Sequence, residues 1–335
     1  MMRRLSAVAA GLAVTLIAAS ASAEAQKLKF SSFEPPQSFG PAKVYTPWIK
    51  SVNDASDGTL QIELFAGGAL GKPTAQLQIV EEGVADLSLL VPSFTPGRFE
   101  YNEIGELPFL WDDATVAGVA VQHLIDKGLL NYPGIKVLAA TMTAPYQLHT
   151  VKPVTKLEDV KGLKIRAAGP IFRNVAQAIG AVPVGIPTPS VAENVSRGVL
   201  DGTMNDWTLM EAFRILDVTH NHFDFPMGGV IALLAMNEKV YAGLDPKAKA
   251  AIDKYSGDYF SKLWGSVVNA ETKRIVDKVK ADPKDKIVVP DAAERKKWEA
   301  ALRPVIDDWA SKAPGNKERL AAFEAELAAV KKSMK

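Results

Sequence analysis

Past its first two dozen residues the chain switches repeatedly between two hydrophobic periods. Residues 27–32 alternate Leu28 and Phe30 with polar neighbours, the period-two pattern of a strand. Residues 40–55 then place Trp48, Ile49 and Val52 on one face of a predicted helix, closed by Asp57-Gly58. In 59–65, Leu60, Ile62 and Leu64 share one face of a second strand. A helix is predicted over 73–82, and 86–91 reads as a short strand apolar on both faces. Helix 115–130 and strand 136–140 continue the series. Such a βαβα order predicts an α/β fold with mostly parallel sheets flanked by helices. The C-terminal third is helical. Asp245-Pro246 is an N-cap with proline at the first helical position, and no proline follows until Pro283. A single helix to about Ala281 would be roughly 54 Å long, enough to run along two lobes. Two further helices, 294–310 and 316–335, carry mixed charge and read as surface helices.

Residues 1–23 stand apart. Arg3 and Arg4 precede a nearly unbroken apolar run, and Ala21-Ser22-Ala23 is an A-x-A cleavage site. The run falls short of the roughly 20 residues that span a bilayer, so a cleaved signal peptide is expected, with Ala23-Glu24-Ala25 as a second possible triplet. Cleavage after Ala23 leaves 37 basic against 38 acidic residues, and no later segment is apolar enough to span. The chain has no cysteine, which excludes disulfides, a thiol nucleophile, Cys-ligated metals and lipid acylation. The near-zero net charge argues against a nucleic-acid partner. A soluble protein of a Gram-negative periplasm is the expectation.

One stretch of sequence recurs. Glu82-Gly83-Val84-Ala85-Asp86 closes a predicted helix and opens a strand, and Arg197-Gly198-Val199-Leu200-Asp201 repeats this 115 residues later. Two lobes of similar topology follow. Ligands of open α/β sheets sit beyond the carboxyl ends of strands, which makes Pro92-Ser93-Phe94 and Asn205-Asp206-Trp207 cleft candidates. The glycines of 66–74 resemble a phosphate loop, but Ala66 and Pro73 occupy positions that such a loop needs for Gly and Ser/Thr. His220 and His222 form H-x-H beside Asp217 and Asp224, read as solvent-facing loop residues. Nothing assembles a nucleophile, base and orienting group, so no enzyme, metal or cofactor is expected.

Arg166 is the strongest chemical signal. Leu163 and Ile165 point to one side of a short strand and Lys164 and Arg166 to the other, and Gly169-Pro170 turns into a helix. An arginine at a strand's carboxyl end beside a helix N-terminus suits a carboxylate. A surface salt bridge is the plainer alternative.

From Lys27 to Arg274 the chain resembles the DctP-type solute receptors of tripartite ATP-independent periplasmic (TRAP) transporters. The matching motifs run from Leu64 to Gly71, Glu82 to Leu87, Glu106 to Leu110, Asp159 to Gly169, Gly198 to Gly202 with Asn205, and Met236 to Glu238. The resemblance implies a two-lobed periplasmic binding fold crossed by a long helix. It divides the chain into lobe one, 26–146 plus 231–270, and lobe two, 147–230 plus 271–335. It also implies that Arg166 pairs with the ligand carboxylate, that Asn205 contacts the ligand, and that small and large membrane subunits receive it. Gln147 stands where many relatives carry a second arginine, and Asp206-Trp207 replaces their proline. The expected ligand is therefore a monocarboxylate with an aromatic, apolar or hydroxylated body. Phe33, Phe94 and Trp207 are candidate ring walls, Gln147, Ser93 and Glu34 candidate hydroxyl acceptors, and Arg173 a substitute cation. A ligand-sensing subunit of a signalling system shares these features, and a periplasmic enzyme is the remaining alternative.

Overall fold

A computed structural model describes residues 25–334; the predicted leader lies outside them. The chain opens with β1 (Gln26–Ser31), α1 (Thr46–Ala55), β2 (Leu60–Phe65), α2 (Gln76–Glu81) and β3 (Leu87–Leu90). It continues through α3 (Ala114–Asp126) and β4 (Lys136–Met142). A second run comprises β5 (Gln147–Thr150), β6 (Lys164–Arg166), α4 (Pro170–Ala178), β7 (Val182–Val184), α5 (Val191–Ser196), β8 (Gly202–Asn205), α6 (Trp207–Ala212) and β9 (Asn221–Phe223). Strand β10 (Ile231–Met236) returns to the first lobe. Then come α7 (Glu238–Ala242), α8 (Pro246–Lys254), α9 (Asp258–Ala281), β11 (Lys286–Val288), α10 (Ala292–Lys312) and α11 (Asn316–Ser333).

The strands form two sheets, in the orders β2-β1-β3-β10-β4 and β11-β9-β5-β8-β6-β7. Both are mostly parallel, as expected, with one reversed strand in each. Strand β10 is antiparallel to β3 and β4, and β5 is antiparallel to β8 and β9. These are the strands entered when the chain crosses from one sheet to the other, and the crossing reverses their direction.

The repeated Gly-Val-x-Asp sequence is one turn built twice. Gly83 and Gly198 take positive φ, at 72° and 70°, which a side chain would disfavour. Val84 N–H bonds Ile79 O and Val199 N–H bonds Asn194 O, both at 2.9 Å. Each aspartate then accepts the amide of a neighbouring strand's lysine, Lys29 to Asp86 at 2.7 Å and Lys164 to Asp201 at 2.8 Å.

The expected single helix after Asp245 is broken. Asp245 caps α8 as expected, its side chain accepting Lys247 N–H. Gly257 then adopts φ +53° and its N–H bonds Leu138 O of β4 at 2.8 Å, so the chain turns onto the first sheet before α9 starts. The remaining 24-residue helix still reaches both lobes. Phe260, Trp264 and Val268 join the first lobe's core with Phe30, Tyr45 and Trp48, while Ile275 and Val279 join Trp207 in the second. Burying each such large side chain stabilises by about 2–3 kcal/mol. The close approach of α9 to α3 depends on Gly265, where an added Cβ would sit 2.4 Å from Thr115 Cα.

Candidate functional site

Strand β6 alternates as its sequence demands. Lys164 is exposed, Ile165 enters the core, and Arg166 is only 1% exposed. The Arg166 guanidinium donates from Nε to Ile186 O (3.0 Å) and from Nη1 to Met204 O (3.2 Å) and Asn205 Oδ1 (2.8 Å). Its Nη2 donates to Thr188 Oγ1 (2.9 Å). Of five N–H donors, four are thus engaged, all by neutral oxygens. No ion pair involves Arg166 among the described residues. Burial pulls its pKa down, opposed by the nearby Tyr146 and Asp206. A cation held this way retains an unmet demand for an anion.

Asn205 ends β8, buried, and its Nδ2 donates to Thr203 Oγ1 at 3.0 Å, which orients Oδ1 towards Arg166. Gln147 lies opposite it in the β5–β8 register, and its buried Oε1 has no hydrogen-bond partner.

Between the lobes lies a tight cavity of about 50 Å³. Phe33, Phe94, Tyr146 and Trp264 supply rings, and Glu34 and Asp206 supply carboxylates. The Phe33 and Phe94 ring centres are 6.4 Å apart. Arg166 is not itself on the cavity wall; Thr188, its hydrogen-bond partner, is. Burial raises Asp206 to about 6 and Glu34 to about 7, and the Asp206 charge pushes Glu34 further up. Glu34 accepts a hydrogen bond from Tyr45 Oη. Beside the cavity, Ser93 donates its hydroxyl to Glu106, whose pKa burial raises to about 8. Glu106 Oε2 and Ser93 face Gly169, at the turn into α4.

The structure brings Glu34, Phe33 and Phe94 to the cavity and places Arg166 and Asn205 behind it. Trp207 and Arg173 lie elsewhere. Asp206 caps α6, accepting Thr208 N–H (2.8 Å) and Leu209 N–H (3.1 Å), so the turn directs residue 206 inward and 207 to the far face. There the Trp207 indole packs on His149 and His222, with ring centres 4.7 and 4.9 Å away. Arg173 stands on the exposed side of α4, two positions from the buried Ile171 and Val175. Nor is His222 a loop residue: it sits in β9, 1% exposed, with Nδ1 2.8 Å from His149 Nδ1. His149 Nε2 lies 3.1 Å from Asn205 O. If it donates there, His149 Nδ1 is the acceptor for His222. Tyr146, Thr188 and Asp206 were absent from the expected binding set. Asp206 carried a signal, as a cleft candidate following a buried strand; Thr188 and Tyr146 come close only through folding.

The family model "Bacterial extracellular solute-binding protein, family 7" (DctP) matches residues 30–312. The chain belongs to this family. Among solved structures, this DctP-family chain is 28% identical to a marine metagenome TRAP solute-binding protein specific for aromatic acids, in complex with 3-hydroxybenzoate. That alignment covers 91% of this chain and 99% of the other, with a TM-score of 0.86. It is 27% identical to a TRAP solute-binding protein from Rhodoferax ferrireducens T118 with copurified benzoate, covering 92% and 100%, TM-score 0.87. A curated relative, the C4-dicarboxylate-binding periplasmic protein DctP of Rhodobacter capsulatus, is 26% identical over 82% of this chain and 83% of its own. The family is one of extracellular solute-binding proteins, both neighbours are TRAP solute-binding proteins, and the two-lobed fold is theirs. Among the described residues no helix is long and apolar enough to cross a membrane, and no group of three His, Asp or Glu is arranged to hold a metal ion.

Proposed function

We propose that this DctP-family protein is a periplasmic receptor that captures an aromatic monocarboxylate and hands it to the membrane subunits of a TRAP transporter. One observation carries the reading: a buried guanidinium with only neutral partners stands directly behind an aromatic-lined cavity. Two neighbours of the same fold bind 3-hydroxybenzoate and benzoate, which supports the ligand class. Beyond those four bonds Arg166 interacts with the Tyr146 hydroxyl, so a two-point grip on a carboxylate requires Tyr146 and either Thr188 or Asn205 to yield. Tyr146 and Thr188 line the cavity, between its space and Arg166.

The lobes would divide as 26–146 plus 231–270 and 147–230 plus 271–335, with α9 as the element shared between them. Helix α11 ties the second segment back to α3 through Glu326, which accepts from His123 (2.7 Å) and Lys127. Closure about this frame would create the surface that the membrane subunits read.

A thermal-shift screen of the exported protein tests the reading, using benzoates, phenylacetates and C4-dicarboxylates with neutral sugars and amino acids as controls. A ligand at 100 times its Kd stabilises by about 2.7 kcal/mol. Shifts confined to monocarboxylates, and lost in Arg166→Ala, are expected. Shifts with neutral sugars alone would overturn the proposal.

A further inference from the structure

The carboxylates of the cavity remain unexplained by a plain carboxylate receptor. Asp206 and Glu34 both line it, Asp206 after a strand of the second lobe and Glu34 after a strand of the first. They are 0% and 5% exposed. Asp206 divides its two oxygens between separate tasks. Oδ1 accepts the Thr208 and Leu209 amides and the Thr208 hydroxyl. Oδ2 is buried with no hydrogen-bond partner. Glu34 is held from behind by Tyr45 through Oε2. An acidic pair beside the space meant for an anionic ligand would weaken binding if it served no purpose, because like charges repel in a low-dielectric site. A buried, unpaired carboxylate oxygen is costly to retain, and nothing in the fold of α6 needs Oδ2, since Oδ1 alone makes the cap.

We infer that Asp206 and Glu34 form a second subsite that accepts a hydrogen bond from a hydroxyl group on the ligand, so the ligand is a hydroxylated aromatic acid rather than a plain one. This rests on the reading of Arg166 as the carboxylate anchor. A hydroxyl donating to Asp206 Oδ2 satisfies the orphaned acceptor without adding charge. The rings of Phe33 and Phe94 hold the ligand body between the two polar ends. Burial supports the arrangement, because it raises both acids towards neutral pH, which lessens their repulsion of an anionic ligand. An acid lacking the hydroxyl leaves Oδ2 as unpaired as before, and a site built to pair a substrate hydroxyl discriminates strongly against its absence.

The test is calorimetric titration of the exported chain with acids that differ by one hydroxyl. The pairs are 3-hydroxybenzoate and 4-hydroxybenzoate against benzoate, and mandelate against phenylacetate; 3-methoxybenzoate retains the oxygen without the donor. Expected is at least about tenfold tighter binding of one hydroxylated member than of its parent, with the methoxy compound no better than benzoate. That preference shrinks to about threefold or less in Asp206→Asn and in Glu34→Gln. Parents and hydroxylated acids binding alike to the wild-type chain would overturn the inference, as would a preference that survives both substitutions. Failure of the anchor looks different: no acid binds, or all bind equally well to Arg166→Ala.

Discussion

Removing the Arg166 side chain should largely spare stability and strongly weaken binding. In the unliganded protein Arg166→Ala takes a donor from Ile186 O, Asn205 Oδ1 and Thr188 Oγ1 and leaves Met204 O only the Thr203 hydroxyl, at about 1–3 kcal/mol for each that stays unsatisfied. The same change removes a cation that is 1% exposed and has no ion-pair partner, whose burial itself costs several kcal/mol. The two largely cancel, and the variant is expected to fold with a modestly altered melting temperature. Binding has no such compensation, because the ligand carboxylate loses a charge-assisted partner in a buried site. Affinity should fall at least about 100-fold, equivalent to about 2.8 kcal/mol. Arg166→Lys keeps the charge but not the planar fork and should fall about tenfold. Thr188→Val removes a competitor for Nη2, so it should leave affinity unchanged within about threefold or improve it. Calorimetric titration with an aromatic monocarboxylate reads all three, with circular dichroism to verify folding. A loss below about fivefold in folded Arg166→Ala would refute the anchor.

Stability should fall as pH rises above about 6.5, where the buried carboxylates lose their protons and the buried histidines no longer offset them. Glu106, Glu34 and Asp206 have pKa values raised by burial to about 8, 7 and 6, so the folded state holds their protons more tightly and loses stability as pH rises from the ordinary carboxylate range towards 8. His222 is lowered to about 4, and His149 also lies well below its ordinary value, so their contribution falls as pH drops from 6.5 towards 4 and offsets the carboxylates there. Melting curves of Glu106→Gln should therefore be flatter than wild type between pH 6.5 and 8; an unchanged slope would remove Glu106 from the account. Trp207→Ala should lose about 3–5 kcal/mol of stability in denaturant titration while ligand affinity stays within about threefold, because the indole faces His149 and His222 rather than the cavity. Gly265→Ala forces a methyl onto the backbone at Thr115 and should destabilise by about 1–3 kcal/mol, read as a lowered melting temperature.

The elements were legible because each obeys a local rule. Alternating Leu28 and Phe30 formed β1, the Trp48–Val52 face formed α1, and Asp245-Pro246 started α8. The two Gly-Val-x-Asp turns were legible for the same reason, since cap geometry depends on a few adjacent residues. The position of Arg166 at the carboxyl end of a strand was legible too, and it ends β6. What sequence did not carry was direction across distance. The break at Gly257 depends on Leu138, more than a hundred residues earlier, and local pattern sees only a glycine that a helix tolerates. Whether Trp207 or Asp206 faces the cavity was decided by one cap, in which the Asp206 side chain bonds amides two and three residues on and turns the indole away. The buried pairing of His149 with His222, and the placement of Glu34 near Asp206, join residues from separate segments. Periodicity reports which face of an element is apolar; only packing decides which faces meet, and in this protein the aromatic-lined cavity is made where they do.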